Sequence, residues 1–321
     1  MQEWCLGIDV AKKKLDCALR LPNGRYKHGG FENTPSGFEE LRKWVCSFDV
    51  TQLHVCMEAT GVYWEAVAEY LANHQYVVSI VNPVQIKAFG ASRLVRTKTD
   101  KVDAKLIADF CKESRPEPWK APSLQEQELR AMVLRLDALQ EIRTQESNRL
   151  EVAREAVKDG IASHIAWLDE EIKNLSKKIR DHIDSDPDLK GRKALLDSIP
   201  GVGERTIALL LAFSLAPGRF ANARQVTAYA GLDPRHHESG SSVQHKTRIS
   251  RVGHNLIRKG LYMPAMVTLY RTNWGKHFLA RLSSAGKKPM VIIVAMMRKL
   301  LHVAFGVLKS GQKFNPDLHA A

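Results

Sequence analysis

Seven aliphatic residues, Ile161, Ile165, Leu168, Ile172, Leu175, Ile179 and Ile183, recur at spacings of three and four throughout. That period holds them on one side of a helix, as a seam that a second helix must cover. Leu129, Met132, Leu136 and Leu139 begin a matching stripe upstream. Residues 121–189 are therefore predicted to form an antiparallel coiled-coil hairpin, reversing at Lys158-Asp159-Gly160 and ended by Pro187. Such a hairpin serves either as a spacer or as a surface for a second copy of the chain.

The text before the hairpin has another period. Residues 4–10, 15–20, 53–57 and 76–81 are short, β-branched or aromatic runs that read as strands, and FEELRKWV and WEAVAEYLANH read as helices between them. Two closely spaced strands followed by strand–helix alternation predict a hairpin and then crossovers onto a mixed sheet. The expected fold class is α/β plus α: an α/β domain over 1–120, the helical hairpin over 121–189, and a mainly helical domain over 190–321.

Charge separates the same three segments. Lys and Arg against Asp and Glu give +2 for residues 1–120, −5 for 121–189 and +16 for 190–321. A basic excess confined to one segment builds a field that attracts a polyanion and gains affinity by counterion release, so nucleic acid is the expected partner. No basic-apolar-small leader opens the sequence, and apolar runs such as 291–297 are too short to span a bilayer. The expectation is a soluble, cytoplasmic protein without a membrane partner. The cysteines Cys5, Cys17, Cys46, Cys56 and Cys111 form no CxxC pair and read as reduced thiols.

Within the basic segment, SIPGVGERTIALLLAF (198–213) joins a glycine turn to a helix. Glycines permit a tight turn with exposed N–H groups, and the helix N-terminus adds partial positive charge. Gly201, Gly203 and Arg205 are thus candidate phosphate contacts in a helix-hairpin-helix; the plain alternative is a packed helical connection. Further on, Arg251, His254 and Arg258 lie three and four apart and would line one face of a helix against a nucleic-acid backbone. Arg235 and Arg248 are additional candidate phosphate holders.

Four carboxylates suggest chemistry. Asp9 closes the first strand and Glu58 follows the run LHVCM, while Asp100 and Asp103 stand three apart at a helix start. Taken singly, each has an ordinary explanation: a strand-end turn, a solvated edge, a helix cap, a favourable helix dipole. Gathered together, they would repel unless a cation neutralised them, and hard divalent ions with oxygen ligands are the natural occupants. Two Mg2+ ions held this way would clamp the attacking and leaving oxygens of a phosphodiester. The stretch HHESGSSV (236–243) sets Ser239, Ser241 and Ser242 beside His236, His237 and Glu238. By itself it is either a nucleophile loop or a flexible polar turn.

Seven blocks taken in order, GIDVAKKKLDCAL, MEATGVYWE, VNPVQIKAFG, RTKTDKVDAKLIADFC, SIPGVGERTIALLLAF, AYAGLDPRHHESGSSV and KTRISRVGHNLIRKGLYMPAM, resemble the insertion-sequence transposases that join a RuvC-like DEDD domain, of the ribonuclease-H type, to a C-terminal serine transposase domain. The resemblance covers nearly the whole chain. It implies that Asp9, Glu58, Asp100 and Asp103 are the metal-binding DEDD set and that Ser239 attacks DNA to form a covalent phosphoserine link. It also implies recombination of donor and target double-stranded DNA guided by a structured bridge RNA, in homodimers that meet as a tetramer with a shared active site. No family role is assigned to His236 or His237, and Ser241 and Ser242 remain rivals to Ser239.

Three other readings compete with the recombinase. A metal-dependent nuclease or junction resolvase would use water and leave the serine loop structural. An actin-like kinase or ATPase would explain GIDVAKKKLD, but the second glycine-rich phosphate loop and the adenosine motif of that class are missing from the sequence. A protein that only binds nucleic acid would be indifferent to Mg2+.

Overall fold

The structure, a computed structural model, describes residues 4–50, 52–95, 97, 99–213, 215, 219–235, 238–239, 243–244 and 248–319, with backbone pairing alone for residues 238, 239, 243 and 244. It divides into two compact units, Met1–Ala121 and Pro122–Ala321.

The first unit is built on a five-stranded mixed sheet. Strands β1 (Trp4–Val10), β2 (Lys14–Arg20) and β3 (Tyr26–Glu32) form an antiparallel meander, and β4 (Leu53–Glu58) and β5 (Val77–Val81) add in parallel beside β1, giving the order β3-β2-β1-β4-β5. This is the RuvC-like arrangement. β3 departs from the strands expected: its KHGGF core carries two glycines and no alternation of the usual kind, and pairing with β2 at the sheet edge overrides that weak propensity.

Period-two alternation divides β1 between two faces. Leu6, Ile8 and Val10 pack with Phe38 and Leu41 of α1 (Pro35–Cys46) and Val67 and Leu71 of α2 (Glu65–Asn73). Cys5 of β1 and Cys56 of β4 face the other way, against Ile86 of α3 (Pro83–Ser92) and Ile107, Phe110 and Cys111 of α4 (Asp100–Ser114). Asp9, four residues after Cys5, and Glu58, two after Cys56, therefore share the α4 face.

In the second unit, α5 (Leu124–Val152) and α6 (Glu155–Ser185) form the helical hairpin, its seam closed by Leu129, Val133 and Leu136 against Ile179 and Ile183. The reversal is at Ala153 and Arg154, both extended, not at Lys158-Asp159-Gly160, which lies inside α6. Gly160 is tolerated there because its face is open: a Cβ at that position would meet nothing within 4 Å. Pro187 starts α7 (Pro187–Asp197) instead of merely ending the hairpin: Asp186 accepts from Leu189 N and caps the new helix, with proline at its first turn.

The remaining helices α8 (Glu204–Ala212), α9 (Ala223–Ala230), α10 (Asn255–Arg271), α11 (Asn273–Ser284) and α12 (Pro289–Ser310) enclose one core with the base of the hairpin. Two small ladders interrupt them: β6 (Pro234–Arg235) with β9 (Arg248–Ile249), and β7 (Glu238–Ser239) with β8 (Val243–Gln244). By length and composition α12 is long and apolar enough to cross a membrane, a point that the short run 291–297 conceals. Met296, Leu300, Leu301 and Phe305 place it instead in the centre of this core. The thiols of Cys5, Cys17, Cys56 and Cys111 are buried and that of Cys46 is exposed.

Candidate active site

The acid-bearing edge is assembled by a close crossing of helix and strand. A Cβ on Gly7 would stand 2.1 Å from the Ala104 carbonyl oxygen and 2.4 Å from the Ala108 nitrogen, so α4 lies directly on β1 where the side chain is missing. Ala104 follows Asp103, and Asp9 is two residues beyond Gly7. The helix start and the strand end thus arrive together.

Each acid is placed by local structure. Ile8 pairs in parallel with Met57, so Asp9 and Glu58 occupy the next step on neighbouring strands. Thr60 Oγ1 donates to Glu58 Oε1 at 2.9 Å. Thr99 caps α4, accepting from Val102 N at 3.3 Å, which leaves the Asp100 carboxylate out of the capping role. Asp100 and Asp103 lie in the first turn of α4, where the helix dipole favours negative charge.

Asp9 feels this company. Burial pushes its carboxyl up to about 6, and the charges of Asp103, Asp100, Glu58 and Asp16 add to the rise. Among the described residues, no three His, Cys, Asp or Glu side chains are drawn together into a ready cage for an ion. The candidate donors at this edge are all carboxylate oxygens, the ligand type that suits a hard divalent ion. Asp9, Glu58, Asp100 and Asp103 are the residues that would hold it.

Asp16 is a fifth carboxylate; it lies within the block GIDVAKKKLDCAL, but the resemblance assigns it no role. It lies opposite Asp9 in the β1–β2 register, is buried, and takes an ion pair from Lys14 Nζ at 2.7 Å. Only the pairing register, seven residues across a short hairpin, signals it.

In the second unit, Ser239 pairs with Val243 between β7 and β8; its side chain, His236, His237, Ser241 and Ser242 lie outside the described residues. On either side of that pair in the chain, Arg235 of β6 faces Arg248 of β9 in register, both exposed. Directly opposed like charges are unfavourable on a ladder, and an anion between them would remove the penalty.

The base of this ribbon is pinned to the end of α9. Ser250 N donates to Asp233 O at 2.8 Å, Arg251 N to Gly231 O at 3.1 Å and His254 N to Tyr229 O at 2.9 Å. Arg258 Nη1 donates to Ala230 O at 2.8 Å and Gly253 O at 3.2 Å. The helical face expected of Arg251, His254 and Arg258 is therefore not formed: α10 begins at Asn255, because Gly253 turns the chain with φ 143° just before it. Arg251 is exposed in the left-handed region, His254 packs at a tilt against Tyr229 and Phe213, and Arg258 is engaged with the loop carbonyls.

The glycine turn 198–203 links α7 to α8. Gly201 has φ 97° and lies against Thr268, whose Oγ1 would be 2.2 Å from an added Cβ, while Gly203 opens the N-terminus of α8 into free space. Arg205 is exposed, 3.7 Å from Asp137. A groove of about 840 Å³ runs beside the turn, lined by Val133, Ile179, Leu209, Met263 and Val267 with Lys259.

Comparison with known proteins decides the family. A transposase model of the DEDD IS110 type matches residues 6–153, and a model described as transposase of the IS116/IS110/IS902 family matches residues 193–280. The pilin gene-inverting proteins of Moraxella bovis and Moraxella lacunata are each 34% identical over 322 residues, covering 99% of this chain and 100% of theirs. The chain belongs to the IS110 family of transposases. An insertion element IS110 protein of Streptomyces coelicolor is 25% identical over 160 residues, covering 50% of this chain and 38% of the relative. The transposase is thus an enzyme of DNA recombination. Its first family match runs through the sheet and α4 with all four acids, and its second spans the glycine turn, the serine ribbon and α10.

Proposed function

We propose that this transposase joins donor and target double-stranded DNA by attack of Ser239 on a phosphodiester, next to divalent ions held by Asp9, Glu58, Asp100 and Asp103. The observation that carries the reading is the placing of four carboxylates at the ends of β1 and β4 and in the first turn of α4, where burial first, and then the charges of the neighbouring acids, raise the pKa of Asp9. Two Mg2+ ions bound there would stabilise the charge that builds on phosphorus.

The chain's own groups account for the rest. Ser239 Oγ forms an ester bond to phosphorus as one strand P–O bond breaks and the sugar hydroxyl departs with a proton. One phosphodiester is exchanged for another, so the strand is rejoined without an outside energy source. Inversion, named for the Moraxella relatives, needs that reversibility, which supports a protein nucleophile over water. Arg235, Arg248 and Arg251 would hold backbone phosphates around the ribbon, and Gly201, Gly203 and Arg205 would contact one at the start of α8 in the manner of a helix-hairpin-helix. Arg258 would act beneath them, through the loop that it holds.

The charge of +16 over residues 190–321 and the family resemblance support guidance by a structured RNA of the element. They also support action on chromosomal DNA in the cytoplasm. Homodimers meeting in a tetramer would bring Ser239 of one copy to the acids of another. The division of the second unit into a hairpin, 121–189, and a basic transposase domain, 190–321, fits these tasks.

The deciding experiment mixes the purified chain, Mg2+, candidate element RNA and labelled DNA. A protein–DNA adduct that survives denaturation and is lost in Ser239→Ala is expected. Cleavage that persists in Ser239→Ala without any adduct would establish instead the water-using nuclease or resolvase reading, which the RuvC-like sheet also accommodates.

A further inference from the structure

The turn leaving the acid edge carries three consecutive lysines, Lys12, Lys13 and Lys14. The first two are exposed in the β1–β2 turn, and Lys14 opens β2. Its ammonium lies 2.7 Å from Asp16 Oδ1; the lysine side chain is 54% exposed, whereas that of Asp16 is only 10% exposed. Exposed lysines ordinarily swing among partners at little energetic difference. This one is tied to a buried carboxylate that itself lies opposite Asp9.

The neighbouring strand leaves room for it. Gly30 of β3 is the register partner of Asp16, and an added Cβ there would stand 3.3 Å from Lys14 Cε and 4.0 Å from Asp16 Oδ1. The missing side chain is the lane along which the lysine lies. Charge balance gives it a task. Two divalent ions would neutralise the four family acids, and Lys14 neutralises the fifth carboxylate, Asp16. A phosphodiester entering such a site still brings its own negative charge. An ammonium has three donors, of which Asp16 engages one and the solvent side can engage the others.

We infer that Lys14, aimed by Asp16 across Gly30, takes a non-bridging phosphate oxygen of the DNA strand that reaches the acid edge; this rests on that edge being the site of reaction. Lys14 touches substrate, and Asp16 and Gly30 are its positioning residues.

The test is equilibrium binding of a fluorescent 30-base-pair duplex, about three helical turns, to the full chain at constant Ca2+ across a salt series. Lys14→Met should flatten the slope of log affinity against log salt by about 0.9, the loss of one phosphate contact. Lys14→Arg should restore it. Gly30→Val keeps every charge but fills the lane, and should flatten the slope as Lys14→Met does. Calorimetric Ca2+ affinity without DNA should stay within about twofold in Lys14→Met, well under the tenfold that 1.4 kcal/mol represents. An unchanged slope in Lys14→Met overturns the inference. So does a clear gain in Ca2+ affinity, because the ammonium would then be occupying the ion's place. The adduct experiment on Ser239 reads independently: an adduct with an unmoved slope sinks this inference alone, and a flattened slope with no adduct sinks the serine reading alone.

Discussion

Gly7 of β1 lies directly against Ala104 of α4: a Cβ on the glycine would be 2.1 Å from the Ala104 carbonyl oxygen. Helix backbone cannot yield that distance without moving the whole element. The contact therefore sets the height of α4 over the sheet, and with it the separation of Asp103 from Asp9.

Gly7→Ala should lift the start of α4 and destabilise the chain by about 1–3 kcal/mol, the usual cost of overpacking. Urea unfolding measures this. Recombination should fall by about 100-fold even in the fraction that remains folded, because a shift of about 1 Å at reacting groups has that effect. A variant with wild-type stability and activity would show that the crossing is not what places the acids.

His254 predicts a pH dependence. Burial, reinforced by Arg130, Arg219 and Arg258, lowers its pKa from 6.5 to about 4. The folded chain therefore prefers the neutral ring, and the unfolded chain takes up the proton first. The stabilisation is present above pH 6.5 and is lost as pH falls toward about 4. The loss should reach about 2 kcal/mol after allowance for solvent screening. His254→Phe, which keeps a ring packed against Tyr229 and Phe213, should lose this part of the acid sensitivity in unfolding curves at about pH 7.5 and about pH 4.5.

Arg235 and Arg248 face each other across the β6–β9 pair. Substituting either with Gln should leave the DNA-free chain unchanged or slightly more stable, by a few tenths of a kcal/mol, about the size of a cross-strand charge effect. The same change should weaken DNA binding and reduce its salt slope by about 0.9 per lost phosphate contact. Anisotropy titrations across a salt series check both signs. A weaker, unfolded variant with an unchanged slope would give these arginines a purely structural role.

What can be read in the sequence follows the range of the forces involved. The α6 seam is a local period, so the helix is legible, yet its reversal is not, because Gly160 signals a turn while its open surface lets the helix continue. β3 is invisible because KHGGF has little strand preference of its own and is held by pairing with β2. The four acids are legible as residues at strand ends and a helix start. Asp16 is not, since its relation to Asp9 exists only in the register of the hairpin. Likewise the spacing of Arg251, His254 and Arg258 suggests one helical face, and a glycine turn at Gly253 divides it.

Asn33 holds the rim of the acid edge. Its Nδ2 donates to Ala11 O and to Tyr63 O, each at 3.0 Å, and its backbone N donates to Lys13 O at 3.1 Å. The first and third bonds fix the turn that carries Lys12 and Lys13; the second fixes the segment that follows Glu58. One side chain thus ties the loop after Asp9 to the loop after Glu58. Asn33→Ala removes two bonds and should destabilise the unit by about 1–2 kcal/mol. Asn33→Asp should be worse than Ala despite its closer shape, because a carboxylate directs negative oxygens at two carbonyl oxygens. Hydrogen exchange should show faster opening at Lys12–Lys14 and Gly61–Trp64 in both variants, with recombination reduced in the same order. If Asp were milder than Ala, the donation from Nδ2 would not be what joins the loops.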